Sequence, residues 1–438
     1  MDENIEKLNN AYTNYFAEVR AQKNFSWRGL YENMEPAFKV AGYREEGEDK
    51  YARILVISLN AMGDHIIYGA LVKKLRQLFP KAYITWLTRA GIAELIRYCP
   101  YVNDIIAVAD EAKEEPIRFI AGAQEILCKY LWPRHYTACL MPQWNPDILA
   151  IPALGFMSGA AVRVGFSDKA ALNFGARFDT PWVGDGYLTH DVITPVEAIA
   201  EVDRGTSLLL ALGFRPEITF PEIWYNENDF KTAKTFIAQL KPGRKLAAIG
   251  IGAGADSRKY PKEKYLAVMK KLLEKDYRYI IVGGKTEAAD GDFLVNNLPD
   301  GAAVNAAGKN SYRETCALIS LADIYIGNDS GVMHAAAACD IPIVEVSREA
   351  AGNKYINARP GVFSELRRFA PYTKAPHVAV TPSEQLGECG KAGYWGGCRE
   401  NYSHCIASIE PLRIVQATDM VEQAPQIPKR KIMIFKAR

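Results

Sequence analysis

Three short segments of this 438-residue chain combine small residues with charge in patterns suited to an anionic ligand. The first, Ser58-Leu59-Asn60-Ala61-Met62-Gly63-Asp64-His65, follows an apolar run and opens a helical pattern. Loops at the carboxyl edge of an open α/β sheet face the ligand crevice, which turns Asp64 toward a cleft. The plain alternative is that Asp64 caps the following helix, and this segment taken alone favours the cap. It lacks the three-glycine dinucleotide fingerprint, which argues against a dehydrogenase.

The second segment is Gly250-Ile251-Gly252-Ala253-Gly254-Ala255, followed by Ser257-Arg258-Lys259-Tyr260-Pro261. Gly252 and Gly254 let backbone amides approach phosphate oxygens, while Arg258 and Lys259 neutralise diphosphate charge. An ordinary glycine-rich turn with a solvated basic pair accounts for it equally well. The third, Gly327-Asn328-Asp329-Ser330-Gly331-Val332-Met333-His334, leads into the small residues Ala335 to Ala338. A helix starting at Ser330 and Gly331 presents amides to an anion, and capping by Asp329 or Ser330 is compatible with that role.

These loops need strands and helices to hold them. Arg53 to Ser58 is a continuous apolar run of buried parallel-strand type, with a helical pattern from Ile66 to Phe79 after it. Ala82 to Leu87 and Ile105 to Val108 read as further strands, separated by a helix from Ile92 to Tyr98. The alternation restarts with a strand at Lys245 to Ile251 and a helix at Lys262 to Lys275. Strands Tyr279 to Val282 and Ile324 to Gly327 follow, with a helix from Arg313 to Ala322 between them and another beginning near Val332. Such alternation predicts an α/β chain of two doubly wound, Rossmann-like domains facing a central cleft.

The expected division is a helical N-terminal extension over 1–50, an acceptor domain over 51–222 and a nucleotide-sugar domain over 223–385. A linker falls at about 222–244, and a Cys-containing tail over 386–438 packs back on the core. In the extension, Leu8, Tyr12, Tyr15, Phe16 and Val19 recur at helical spacing. Packing on the main body is the commonest fate of such a stripe, ahead of dimerisation or contact with a membrane surface.

Bulk properties narrow the class. The length exceeds what one core supports, and 49% hydrophobic with 24% charged residues is ordinary for a globular chain. A net charge of +2 gives no broad positive field, so nucleic acid is not an expected partner. The acidic start, Met1-Asp2-Glu3-Asn4, leads into no signal-type apolar stretch, and no window reaches the length of a membrane span. A cytoplasmic protein is expected. Cys99, Cys128, Cys139, Cys316 and Cys339 lie in apolar surroundings and read as small buried hydrophobes of a reducing compartment. Cys389, Cys398 and Cys405, with His404, offer four ligand atoms but lack a tight Cys-x-x-Cys pair, so no metal site is expected.

Taken together the motifs resemble glycosyltransferase family nine, the heptosyltransferases of lipopolysaccharide core synthesis, over about residues 51–422. The resemblance rests on Gly63-Asp64, Phe79-Pro80, Trp86-Leu87 and Val162-Arg163-Val164-Gly165-Phe166 in the first half. In the second it rests on the glycine-rich loop, Tyr260-Pro261, Gly283-Gly284 with Glu287, Ala307-Gly308-Lys309, and Asn328 to Gly331 with His334. It implies a GT-B fold and an inverting glycosyltransferase with no Asp-x-Asp metal motif and no required cofactor.

ADP-heptose is the implied donor. A lipopolysaccharide-core, other glycan or lipid-linked compound is the implied acceptor, with at most peripheral attachment to the inner face of the inner membrane. Asp64 then becomes the catalytic base and Glu287 the ribose partner. Ser330 and Gly331 form the diphosphate site, shaped by Asp329 and His334. Arg258 keeps the expected spacing before Pro261 and competes with Lys259 for the diphosphate; Tyr260 replaces the usual Trp. A two-domain sugar-nucleotide epimerase and a noncatalytic nucleotide-binding module are the alternatives.

Overall fold

The computed structural model describes residues 2–43, 51–109, 116–143, 151–167, 184–193, 200–215, 217, 219–349, 364–384, 386 and 402–435. Twelve strands form two six-stranded parallel sheets among these residues. The first sheet contains β1 (Arg53–Ile57), β2 (Tyr83–Arg89), β3 (Asp104–Val108), β4 (Ala138–Met141), β5 (Val162–Phe166) and β6 (His190–Val192). The second contains β7 (Lys245–Gly250), β8 (Tyr277–Val282), β9 (Ala303–Asn305), β10 (Ile324–Asn328), β11 (Ile343–Val346) and β12 (His377–Val380).

The strand orders are β3-β2-β1-β4-β5-β6 and, read from the corresponding edge, β9-β8-β7-β10-β11-β12. Both are the doubly wound Rossmann order, so each sheet reverses direction once, between β1 and β4 and between β7 and β10. The register places Leu55 opposite Cys139 and Gly250 opposite Gly327 at these two switch points. The observed fold is two Rossmann-like halves in the GT-B arrangement. Strands β4, β5 and β10 are buried at every position, as expected when helices cover both faces of a parallel sheet.

Two N-terminal helices, Glu3–Gln22 and Trp27–Val40, supply part of that cover. The Asp2 carboxylate accepts from Asn4 N–H and the Ser26 hydroxyl from Gly29 N–H, which starts each helix. Leu8, Tyr12, Leu30 and Phe38 pack in one apolar cluster with Leu55 and Ile57 of β1 and Leu87 of β2. The apolar stripe therefore lies against the first sheet.

At the other end, the Pro411–Gln423 helix packs on the Lys262–Leu273 helix and on β12. The chain then crosses to the junction between the halves. There Arg430 pairs with Asp340 and donates to Pro221 O, and Phe435 N–H donates to Tyr225 O (2.7 Å). The halves also meet directly. The Met62–Leu78 helix packs against the Gly331–Ala338 helix, and a single apolar cluster runs from Val56 and Trp86 through Trp224 to Ala248 and Val282.

Candidate active site

The carboxyl ends of β7 and β10 are bound together by one side chain. Buried Asn328 accepts from Tyr260 N–H (3.1 Å) and the Tyr265 hydroxyl (2.8 Å) through Oδ1, and donates from Nδ2 to Ile251 O (2.9 Å). It fixes the glycine-rich loop beside the start of the Gly331–Ala338 helix. A Cβ on Gly327 would lie 2.6 Å from Gly250 O, so glycine is required where these strand ends converge. Ser330 occupies the helix N-cap, but its hydroxyl turns back to Asn328 O (3.3 Å) rather than to a helix amide. The Gly331 and Val332 amides therefore have no capping side chain from Ser330, and both residues line a cavity of about 560 Å³. This is the anion-binding arrangement of a helix N-terminus.

Gly252, Gly254, Gly283, Gly284 and Glu287 line the same cavity from the second half, and Met62, Gly63, Gly91 and Glu94 line it from the first. The two halves touch through glycines. A Cβ on Gly63 would lie 2.8 Å from His334 Cδ2, and one on Gly331 would lie 3.1 Å from Gly63 N. The N-termini of two helices, one from each half, thus converge at the cavity.

Asp64 sits on the first turn beside Gly63, where its carboxylate accepts from Ala61 N–H (3.2 Å). It reaches back to the cap from inside the helix; Ala61 is the N-cap. Although partly open at its surface, Asp64 is densely surrounded, and this burial raises its pKa to about 6. Glu201 adds to the rise, while Arg368 and the Ala61 amide oppose it. Glu201 is itself buried, paired with Arg368 (2.7 Å) and accepting from the Tyr68 hydroxyl (3.2 Å). A carboxylate with proton affinity near neutrality, next to a residue that lines the anion-binding cavity, has the chemistry to take a proton from a bound hydroxyl.

The sequence profile of glycosyltransferase family 9 (heptosyltransferase) matches residues 136–349, which spans parts of both halves. Residues 136–349 form a glycosyltransferase family 9 domain. It is 24% identical over 303 residues to lipopolysaccharide heptosyltransferase 2 of Salmonella typhimurium, covering 67% of this chain and 81% of that one. It is also 24% identical over 307 residues to lipopolysaccharide heptosyltransferase 1 of Campylobacter coli, covering 67% and 83%. Among solved structures, a family 9 glycosyl transferase from Veillonella parvula superposes with a TM-score of 0.66 at 19% identity, covering 86% and 99%. The E. coli heptosyltransferase WaaC, solved with ADP, superposes with a TM-score of 0.59 at 16% identity, covering 84% and 99%.

Of the site residues expected from the sequence of this glycosyltransferase, Gly252, Gly254, Glu287, Ser330 and Gly331 lie on the cavity wall. Asp64, Arg258, Lys259, Asp329 and His334 are not among the lining residues, but each is next in sequence to one that is or in contact with one. Arg258 and Lys259 diverge. The Arg258 guanidinium lies over Gly254, where a Cβ would be 2.5 Å from Nη2, and its Nη1 is 4.0 Å from Asp329. Lys259 instead contacts Glu287 (2.9 Å) and Asp256 (2.9 Å). Burial opposes its charge, but these two acids outweigh that and raise its pKa. Burial also disfavours the Glu287 carboxylate; Lys259, Thr286 and the Gly284 amide (2.8 Å) nevertheless hold it below the usual range.

His334 is buried, which lowers its pKa to about 4, so it packs on Gly63 as a neutral ring. His65 is likewise neutral near pH 7, with burial lowering it to about 4. Its Nδ1 donates to Ala61 O (2.9 Å), leaving Nε2 to accept from the Thr88 hydroxyl (2.7 Å).

The sequence reading did not single out Glu94, Lys285, Asn310 or Tyr312, all of which line the cavity. Lys285 and Asn310 each stood beside a quoted motif, Gly283-Gly284 and Ala307-Gly308-Lys309. Cys389 and Cys398 lie outside the described residues. Cys405 is buried, its thiol 3.5 Å from His404 Nδ1. Among the described residues no group of three or more His, Cys, Asp and Glu side chains is placed to hold a metal ion. No described helix is long and apolar enough to cross a membrane.

Proposed function

We propose that this glycosyltransferase is an inverting heptosyltransferase, moving heptose from ADP-heptose to a lipopolysaccharide-core or other glycan acceptor. The observation that carries this reading is the convergence at one cavity of Gly63, the neighbour of Asp64 on the first turn of its helix, and the uncapped Gly331 helix start, on helices from opposite halves. The base and the leaving-group site then lie on either side of the transferred sugar. The acceptor oxygen attacks the anomeric carbon while Asp64 takes its proton. The bond from that carbon to the diphosphate breaks, and the electron pair leaves on the phosphate oxygen.

The charge that develops there is met by the Gly331 and Val332 amides and by the Arg258 guanidinium, with Lys259 adding to the field. These groups do the work for which many transferases use a divalent ion, so transfer proceeds without added metal. Glu287 accepts from the ribose hydroxyls. ADP is the nucleotide in the WaaC neighbour's structure, and the family 9 domain makes ADP-heptose the first donor to try. A lipid-linked acceptor would bring the protein from the cytoplasm to the inner face of the inner membrane without a spanning helix.

The test is incubation with ADP-heptose and other nucleotide sugars, with and without acceptor glycans, following thermal stabilisation and the anomeric configuration of any product. Heptose transferred with inverted configuration, stopped by Asp64→Asn, is the expected result. A product of retained configuration, or an altered donor formed without acceptor, would overturn it.

A further inference from the structure

Two residues that line the cavity each carry a buried side-chain oxygen without a donor. Glu94 Oε2 and Asn310 Oδ1 are both buried, and neither has a hydrogen-bond partner among the described residues. Buried polar atoms are rarely left so, and each asks for an explanation. Neither orientation is free to change. Asn310 Nδ2 is committed to Ala306 O (3.2 Å), which turns Oδ1 the other way. Glu94 Oε1 is held by Arg313 Nη1 (2.6 Å), whose Nε is bound to Asp229 (2.7 Å). Arg313 also donates to Glu94 O (2.7 Å), so backbone and side chain of Glu94 are both tied across the cleft to the second half.

The sheet order says which part of a ligand meets these oxygens. Resting on the nucleotide-sugar reading above, the diphosphate lies at the Ser330–Gly331 helix start, at the end of β10. The neighbouring strands are then β7, β8 and β9 in order. Strands are roughly 4.8 Å apart, so the end of β9 is about 14 Å from the end of β10, the reach of an extended nucleoside diphosphate. Glu287 follows β8, midway, where the ribose falls. Asn310 follows β9. Glu94 is fastened to Arg313 on the Tyr312–Leu321 helix that comes next. Tyr312, 45% exposed and lining the cavity, offers a flat face at the same end.

We propose that Glu94 Oε2 and Asn310 Oδ1, one from each half, read the donor's base by accepting from an exocyclic amino group. Adenine at C6 and cytosine at C4 carry such a group; at the equivalent place guanine and uracil present a carbonyl oxygen, which would meet two acceptors and no proton. A site built to hydrogen-bond one group rejects a partner that leaves its buried polar atoms unpaired. Glu94 is also one of the first half's contributions to a cavity built mostly by the second, so base recognition depends on the halves being closed on each other.

The experiment is calorimetric titration of the full chain with ADP, CDP, GDP and UDP. The wild type should bind ADP at least about tenfold more tightly than UDP. In Glu94→Gln, Arg313 holds the amide oxygen in the Oε1 position and turns the NH2 into the cavity, replacing an acceptor by a donor. The ADP-to-UDP ratio should fall about tenfold. Asn310→Ala, remote from Arg313, should lower ADP affinity and leave UDP affinity unchanged, and it carries the test if the Gln variant does not fold. A ratio unchanged in folded variants, or a wild type that prefers UDP, would overturn base reading by these oxygens and leave the donor cavity intact. Failure of all four diphosphates to bind the wild type would remove the donor-site reading as well.

Discussion

The two halves share a strand order and differ in what they place at their switch points. At β7 and β10 the second half offers glycines, backbone amides and a buried asparagine that makes only neutral hydrogen bonds, all preset to receive an anion. At β1 the first half offers a carboxylate whose charge is disfavoured by burial and by a second buried acid, Glu201. One side is arranged to stabilise negative charge and the other to give it up to a proton. The fold supplies two equivalent crevices, and in the proposed reaction a few residues at the loop ends decide which holds the leaving group and which takes up the proton.

The strongest way to break this contrast is to remove each partner in turn. Asp64→Asn keeps the shape and an acceptor for the Ala61 amide but loses the base. Turnover should fall by roughly a thousandfold while donor affinity stays within about twofold. Normal turnover in the Asn variant would reduce Asp64 to a helix-capping group. On the other side, Arg258→Ala should lower turnover about a hundredfold and Lys259→Ala about tenfold or less, because a guanidinium binds two phosphate oxygens at once. The divergence of the two side chains, Arg258 over Gly254 and Lys259 onto Glu287, adds a finer expectation. Lys259→Ala should weaken donor binding through Glu287 more than it slows the chemical step. The reverse ranking in parallel kinetics would give Lys259 the diphosphate.

The glycine contact that joins the halves tests whether they must stay in register. A Cβ at Gly63 would meet the His334 ring at 2.8 Å and Gly331 Cα at 3.2 Å, both in the rigid starts of helices. Gly63→Ala should cost about 1–3 kcal/mol in urea unfolding, as overpacking does in a close helix contact. It should also lower donor affinity, since cavity walls from both halves would part. Wild-type stability and affinity in this variant would show that the halves adjust freely.

The strands that frame the site were legible because β1 and β7 are continuous apolar runs followed at once by glycine-bearing loops. Ala138–Met141 and Ala303–Asn305, four and three residues long, gave no comparable signal, although they complete the two sheets. The glycine-rich and Asn328-to-Gly331 loops were legible because their chemistry is local. Glu94 was not, since its place in the cavity depends on Arg313, 219 residues away. Gly63 read as a loop glycine, whereas its smallness is needed by His334 from the other half. The proton affinity of Asp64 was equally out of reach, because it comes from enclosure by a cluster containing Glu201 and Arg368.

That proton affinity gives the next prediction. If Asp64 is the base, kcat/KM should be level above about pH 6 and fall about tenfold per unit below it, as the carboxylate protonates. Phosphate-site variants such as Arg258→Ala should lower the whole curve and leave its inflection in place. An inflection near the ordinary Asp value of 3.8, or one that moves with Arg258, would separate the acid limb from Asp64.

The smallest expected effect concerns stability, and its sign distinguishes a strained base from a stabilising cap. The folded protein holds the Asp64 proton up to about pH 6, whereas the unfolded chain releases it near 3.8. Between these values the folded state binds more protons, so this group's contribution falls as pH rises and its cost is complete only above about pH 6. Asp64→Asn removes the titration. Its melting temperature relative to wild type should therefore rise between pH 4 and pH 7.5, by about a degree or two for a chain of this size. Using the change with pH, rather than either melting temperature alone, cancels any packing difference between the two side chains. A carboxylate that mainly stabilised the Met62–Leu78 helix through its Ala61 contact would give the opposite trend, with the Asn variant losing ground as the wild-type acid becomes charged. That outcome, joined to unchanged turnover, would leave the first half with a helix cap at its switch point and no base.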